Sequence, residues 1–165
     1  MSLFTQLKQD ALKALQNMPA LEGAVITDEY PSVWKAESIS KPVLAVGFRE
    51  LSVLPSGFSG LIGKNRNGDE ETGRRCKATF LFTLCAPKRE VAKTLFDLFA
   101  ALGGLLLPDS GFPVPVTGLT CDPVEFDRTL GCPVLRAYAQ SEFLISDGGQ
   151  ESPDITDITV RSVVI

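Results

Sequence analysis

The sequence predicts an α+β domain: a mixed, mainly antiparallel sheet with two amphipathic helices packed on one face. Three observations predict it. From Arg75 to Ala86 the chain alternates, with Cys76, Ala78, Phe80, Phe82, Leu84 and Ala86 on one face and Arg75, Lys77, Thr79, Leu81, Thr83 and Cys85 on the other. A period of two rich in aromatic residues is a strand half buried in a sheet. The period then changes: Val91, Leu95, Leu98, Phe99 and Leu102 recur at helical spacing, with Lys88, Arg89, Lys93 and Asp97 elsewhere on the wheel. A second helical stripe opens the chain.

In chain order, residues 3–18 form the N-terminal helix. Leu3, Leu7, Ala11, Ala14, Leu15 and Met18 make its stripe, Ser2 is placed to cap it and Pro19 ends it. The stretch from Leu21 to Trp34 is mixed, with Val25 and Ile26 as a short strand and Tyr30-Pro31 as a break. Trp34, the single tryptophan, reads as core or rim packing. Pro42 to Phe48 is a strand that runs on through Leu51 and Val53. From 55 to 74 the composition shifts, first glycine-rich (Ser56 to Gly63), then polar and charged (Lys64 to Arg74). A long polar connection between two strands reads as a protruding hairpin arm or loop.

The central strand and helix occupy 75–104. Pro87 closes the strand because proline cannot donate to the ladder, and Gly103-Gly104 is expected to stop the helix in a left-handed cap. Leu105 to Pro113 is a proline-broken loop. A hairpin follows over 116–145, its strands joined across Asp127 to Gly131. Its second strand sets Leu135, Ala137, Ala139, Phe143 and Ile145 against Arg136, Tyr138, Gln140 and Glu142. The stretch 146–165 is an acidic Gly/Ser linker and then a C-terminal strand, Ile155 to Ile165.

A chain of 165 residues reads as a single domain, 1–165, which buries roughly 70% of its unfolded surface. The apolar content of 44% is that of an ordinary globular protein. A net charge of −4 and a pI near 4.9 oppose a dedicated nucleic-acid binder, which carries a basic patch. No run approaches the ~18 apolar residues of a membrane span. The first ten residues lack the basic-then-apolar order of a secretory signal, so the chain reads as cytoplasmic when made.

The residues offer little chemistry. Histidine is absent, which removes Ser-His-Asp and Cys-His arrangements and histidine-ligated metals. The four cysteines, Cys76, Cys85, Cys121 and Cys132, contain no C-x-x-C pair and read as small reduced hydrophobes. A Cys121–Cys132 bridge is conceivable across the hairpin, but a cytosolic chain opposes it. Gly57 to Leu61 lacks the second glycine of a nucleophile elbow. Gly57 to Lys64 misses a phosphate-binding loop by one residue of spacing, and Asn65 replaces its magnesium ligand. Asp69, Glu70 and Glu71 read as a solvated acidic turn, and Glu125 and Asp127 as surface carboxylates. No catalytic, cofactor or metal constellation emerges.

The order of elements nevertheless resembles a family. It comprises the leading helix, Lys41 to Phe48, the Pro55 to Gly63 segment, and the Gly73-Arg74-Arg75 entry into a strand ending Ala86-Pro87-Lys88-Arg89. The Leu95–Leu102 helix and Leu119 to Asp127, opening a hairpin, complete it. Over about residues 1–145 this is similar to the small tail-terminator (tail-completion) proteins of long-tailed bacteriophages, prophages and phage-derived contractile particles. The resemblance implies a tail-terminator-like fold and a structural, non-enzymatic virion protein assembled in the host cytoplasm. Six copies would close into a ring on the tail tube, stop its polymerisation and present a docking face to head and neck proteins. The implied partners are further copies of the chain, the tube protein, a sheath protein in contractile particles and a head-completion or connector protein. DNA would pass the channel without sequence-specific binding, and no membrane is involved.

A ring closes when a heterologous head-to-tail contact returns on itself, and strand edges and arms serve such contacts. The 55–74 arm and the 146–165 tail are therefore the expected contact segments. Phe58, Leu61 and Ile62 are the expected apolar anchors, with Lys64, Arg66, Arg74 and Arg75 as charged contacts. A tube, connector or baseplate subunit of the same particles, or a small cytosolic binding module, are the alternatives.

Overall fold

A computed structural model of the chain describes residues 2–28, 39–55, 60–64, 67–87, 93–146 and 160–161. The elements are α1 (Leu3–Gln16), β1 (Val25–Thr27), β2 (Val43–Pro55), β3 (Leu61–Lys64), β4 (Glu70–Cys85), α2 (Lys93–Leu102), β5 (Val116–Cys121), β6 (Glu125–Asp127), β7 (Cys132–Ser146) and β8 (Val160–Arg161). The described strands form one sheet of order β1-β2-β4-β7-β5; β3 also pairs with β4, and β6 and β8 with β7. Only β1 runs parallel to its neighbour β2; the remaining pairings are antiparallel. The expected class, a mixed and mainly antiparallel α+β sheet with two helices, is the one observed.

Strands β4 and β7 are the spine, paired without interruption from Gly73↔Ser146 to Cys85↔Val134. Along β4 the predicted alternation holds: Cys76, Ala78, Phe80, Phe82 and Leu84 are buried on one face. They meet Leu44 and Val46 of β2, Leu135, Ala137, Ala139 and Phe143 of β7, and both helices. Helix α1 contributes Leu7, Ala11, Leu12 and Leu15, and α2 contributes Leu95, Leu98 and Leu102. Phe80 is the centre, with its ring 4.8 Å from that of Phe48 and 5.0 Å, edge on, from that of Phe112. Aromatic contacts of this kind add about 0.5–1.5 kcal/mol beyond the area they bury.

Several boundaries differ from the sequence reading, each for a local reason. Helix α1 ends at Gln16, two residues before Met18, because Asn17 already closes it and Pro19–Leu21 form a short 3-10 turn. Its start is as expected, with Ser2 Oγ accepting the Thr5 N–H at 3.3 Å. The glycines after α2 do not form the expected left-handed cap. Gly103–Leu106 tighten into a 3-10 helix instead, and Leu105 is buried there. Strand β4 starts at Glu70 rather than Arg75, so Glu70 to Arg74 of the polar stretch are paired backbone.

The expected hairpin between β5/β6 and β7 is interrupted at Asp122–Val124, where Pro123 has no N–H for the ladder. Its turn is built by Asp127, whose Oδ1 accepts from the Thr129 N–H (2.8 Å) and the Leu130 N–H (3.0 Å). Gly131 completes that turn at φ 63°, a conformation that glycine adopts without a Cβ clash.

The second face of the sheet carries a smaller buried cluster, Val43, Cys85, Cys132 and Val134, with Val25, Ile39 and Leu130 against it. Trp34, the Tyr30-Pro31 break, Val91 and all of the expected 155–165 strand except Val160–Arg161 lie outside the described residues.

Candidate interaction surface

The 55–74 arm is a hairpin grown from the spine. β4 is 16 residues long, roughly 50 Å at strand rise, whereas α1 spans about 21 Å at helical rise. The helices therefore cover only part of the strands. Beyond Pro55, which pairs with Arg74, β3 continues along β4 from Leu61↔Thr72 to Lys64↔Glu70. The Gly73 N–H donates to the Gly60 carbonyl at 2.7 Å and joins the two pairings.

Gly73 is buried at the root of the arm. A Cβ built there would collide with the Ile145 carbonyl oxygen and lie 2.7 Å from Ile62 Cδ1. Only the absence of a side chain lets β7 approach so closely. The C-terminal segment meets the same root: Val160 and Arg161 of β8 pair with Ile145 and Leu144, which in turn pair with Arg74 and Arg75. β3 and β8, separate in sequence, thus lie at one end of the sheet.

Of the expected anchors, Leu61 is exposed at 44%, whereas Ile62 is half-buried against Gly73. Lys64 and Arg74 are exposed, and Lys64 stands opposite Glu70. Arg75 is already engaged, with its Nε 3.1 Å from Glu142 Oε1, and Lys77 reaches the other oxygen of that carboxylate at 3.8 Å. Both ion pairs are solvent-exposed and contribute little stability. Phe58 and Arg66 lie outside the described residues.

Sequence reasoning missed the apolar side chains on β2. Leu51, Val53 and Leu54 are exposed at 38%, 44% and 42%. Leu51 and Val53 stand opposite Ala78 and Cys76 and so share the helix-bearing face, while Leu54, opposite Arg75, is on the other. The base of the arm is therefore apolar on both sides. Beyond β1, which pairs only as far as Ala45, the outer edge of β2 has no strand partner among the described residues.

The polar face of the spine is tied down internally. Arg49 places its guanidinium carbon 4.5 Å from the centroid of the Tyr138 ring, and the Tyr138 hydroxyl donates to Asp122 Oδ2 at 2.5 Å. That hydrogen bond, with a smaller effect of burial, holds the Tyr138 phenol above its usual range. Glu125 pairs with Arg136 at 2.9 Å, and Asp127 serves the turn. Both carboxylates weighed for acid/base work thus have structural tasks. The Cys121–Cys132 bridge does not occur: Cys121 stands opposite Ala137 and is exposed, while Cys132 is five residues away along β7 and faces Cys85.

No group of three or more metal-ligating side chains is assembled among the described residues. No helix among them is long and apolar enough to cross a membrane. No protein-family model matches the chain, and no curated protein matches its sequence.

Proposed function

We propose that this chain is a structural subunit of a phage-type tail, a tail-terminator-like protein. In this reading six copies form a ring on the tail tube, halt its growth and present a face to head and neck proteins. The observation that carries the reading is the arm: a hairpin extension, apolar at its base on both faces, beside a strand edge that has no partner among the described residues. A heterologous contact between copies uses such features directly, because an edge supplies backbone hydrogen bonds and exposed leucines supply buried area. The element order, which resembles that family, supports the same reading.

Function here is shape and association rather than bond chemistry. The arm and the tail, meeting at one root, would grip the neighbouring subunit, with Leu51, Val53, Leu54 and Leu61 as apolar anchors and Lys64 and Arg74 as charged contacts. The test is native mass measurement and negative-stain imaging of the purified chain, alone and mixed with tube protein from the same particle. Closed six-membered rings and shortened, capped tubes are expected. Monomers beside uncapped tubes at every concentration would reject the proposal, and open filaments would favour a tube subunit.

A further inference from the structure

Two of the four cysteines are brought together in a place that plays no part in the association surface. Cys85 ends β4 opposite Val134 of β7. Cys132 opens β7 two residues before Val134, on the same face and diagonal to Cys85. Both are buried in the small second cluster with Val43 and Val134, and their thiols share a hydrogen bond. Diagonal positions on adjacent strands are within reach of one another. Closing them to a bond of about 2.05 Å needs side-chain rotation and a small shift of one strand end. Cys132 is the first residue of its strand but is paired with Asp127 of β6, so closure waits on opening of the Asp127–Gly131 turn.

We infer that Cys85 and Cys132 form a buried dithiol that a disulfide oxidant such as oxidised glutathione converts to a cross-strand disulfide. Opening of the turn exposes Cys132. Its thiolate attacks one sulfur of oxidised glutathione, forming a mixed disulfide and displacing one glutathione thiolate. Cys85, losing its proton to water, then attacks the Cys132 sulfur and displaces the second glutathione. Two protein thiols are oxidised and one disulfide oxidant is reduced to two thiols. Burial, then the charge and hydrogen bond of Cys132 and the charge of Asp127, push the Cys85 thiol up to about 12 against a smaller opposing effect of Arg136. Cys85 therefore stays protonated, and closure of the pair is slow. Once closed, the bond ties the end of β4 to the start of β7 and resists thermal separation of the spine.

The test uses full-length protein carrying Cys121→Ser, which removes the exposed thiol as a competing site. The folded protein is incubated with oxidised glutathione, quenched in acid, alkylated under denaturing conditions and digested with trypsin. Peptide 78–88, containing Cys85, should be found joined to peptide 129–136, containing Cys132. The linked species should weigh about 2 Da less than the two reduced peptides together, since two hydrogens are lost. Only Cys76 should remain alkylatable, Tm should rise, and dithiothreitol should reverse both. Retention of all three thiols, a glutathione adduct that persists on Cys132 without the linked peptides, or linkage only in urea-unfolded protein would each overturn the inference. Adding Cys85→Ser should stop the reaction at the glutathione adduct of Cys132.

Discussion

Gly73 and Ile145 are packed backbone against backbone, so closely that a methyl group on Gly73 would overlap the Ile145 carbonyl oxygen. Gly73 also pairs with Ser146, one residue on, at the far end of the spine. Gly73→Ala is therefore expected to destabilise the fold by about 1–3 kcal/mol, the range for forcing an extra methyl into a packed site. Hydrogen exchange should locate the loss at β3 and at Leu144–Ser146, leaving the β4 segment around Phe80 protected. Equilibrium denaturation with exchange mass spectrometry checks both points.

The exposed side chains on β2 should behave in the opposite way. Leu51→Ser combined with Val53→Ser should change the stability of the isolated subunit by no more than about 0.5 kcal/mol per site, as surface substitutions do. Association should weaken at least tenfold if these side chains are the apolar anchors. Sedimentation velocity over a concentration series measures the second effect and thermal melts the first.

Alkaline pH should weaken the fold through Cys85. Its thiol titrates near 9.0 when unfolded and is held up to about 12 in the folded chain, so the folded state binds the proton more tightly. The contribution is fully present below pH 9 and is lost as pH rises from 9 towards 12. Each pH unit in that window costs about 1.4 kcal/mol for one such group. Cys76 and Tyr138 are shifted in the same direction and add to the slope. Urea titrations from pH 7 to 11 should show the fall, and Cys85→Ala should flatten it without abolishing it.

The turn before β7 rests on one carboxylate. Asp127→Ala removes the acceptor for two N–H groups and should cost about 1–2 kcal/mol, comparable to the loss of a helix cap. Asp127→Asn keeps an oxygen at the same position and should retain most of the stability. Chemical denaturation of the two variants side by side distinguishes this structural task from a catalytic one.

The central aromatic sets the upper limit of what one substitution can do. Phe80 is wholly buried between the rings of Phe48 and Phe112, and Phe80→Ala is expected to cost about 3–5 kcal/mol. Circular dichroism melts would register a loss of that size as a large fall in Tm.

How much of this was legible in the sequence depended on whether local pattern carried the information. Phe80, Phe82 and Leu84, or Leu135, Ala137 and Ala139, alternate because one face is covered, and that pattern gave the spine and its core side. Glu70 to Arg74 are paired but exposed apart from Gly73 and half-buried Glu71, so no burial contrast marked them as strand. Leu51 and Val53 read as the continuation of a strand; their exposure follows from strands longer than the helices above them, a tertiary quantity. The Cys85–Cys132 contact depends on the register between two strands 47 residues apart along the chain, which no local spacing encodes. Gly103-Gly104 misled for a related reason, since burial of Leu105 draws the chain into a tighter turn instead of a left-handed stop.

One irregularity in β2 governs what the arm offers to others. Between Phe48↔Phe80 and Glu50↔Thr79 the pairing skips Arg49. Strict alternation from Leu44 would have aimed Glu50 and Ser52 at the helix side and left Leu51 and Val53 among the charges. The one unmatched residue inverts that phase: the strand keeps its carboxylate in water, frees a guanidinium to lie over Tyr138, and turns Leu51 and Val53 to the side where the core runs out. A greasy rim is thus written into the ladder by a counting error of one, and straightening the strand by deleting Arg49 would leave the rim in place while removing the cation that rests on the tyrosine.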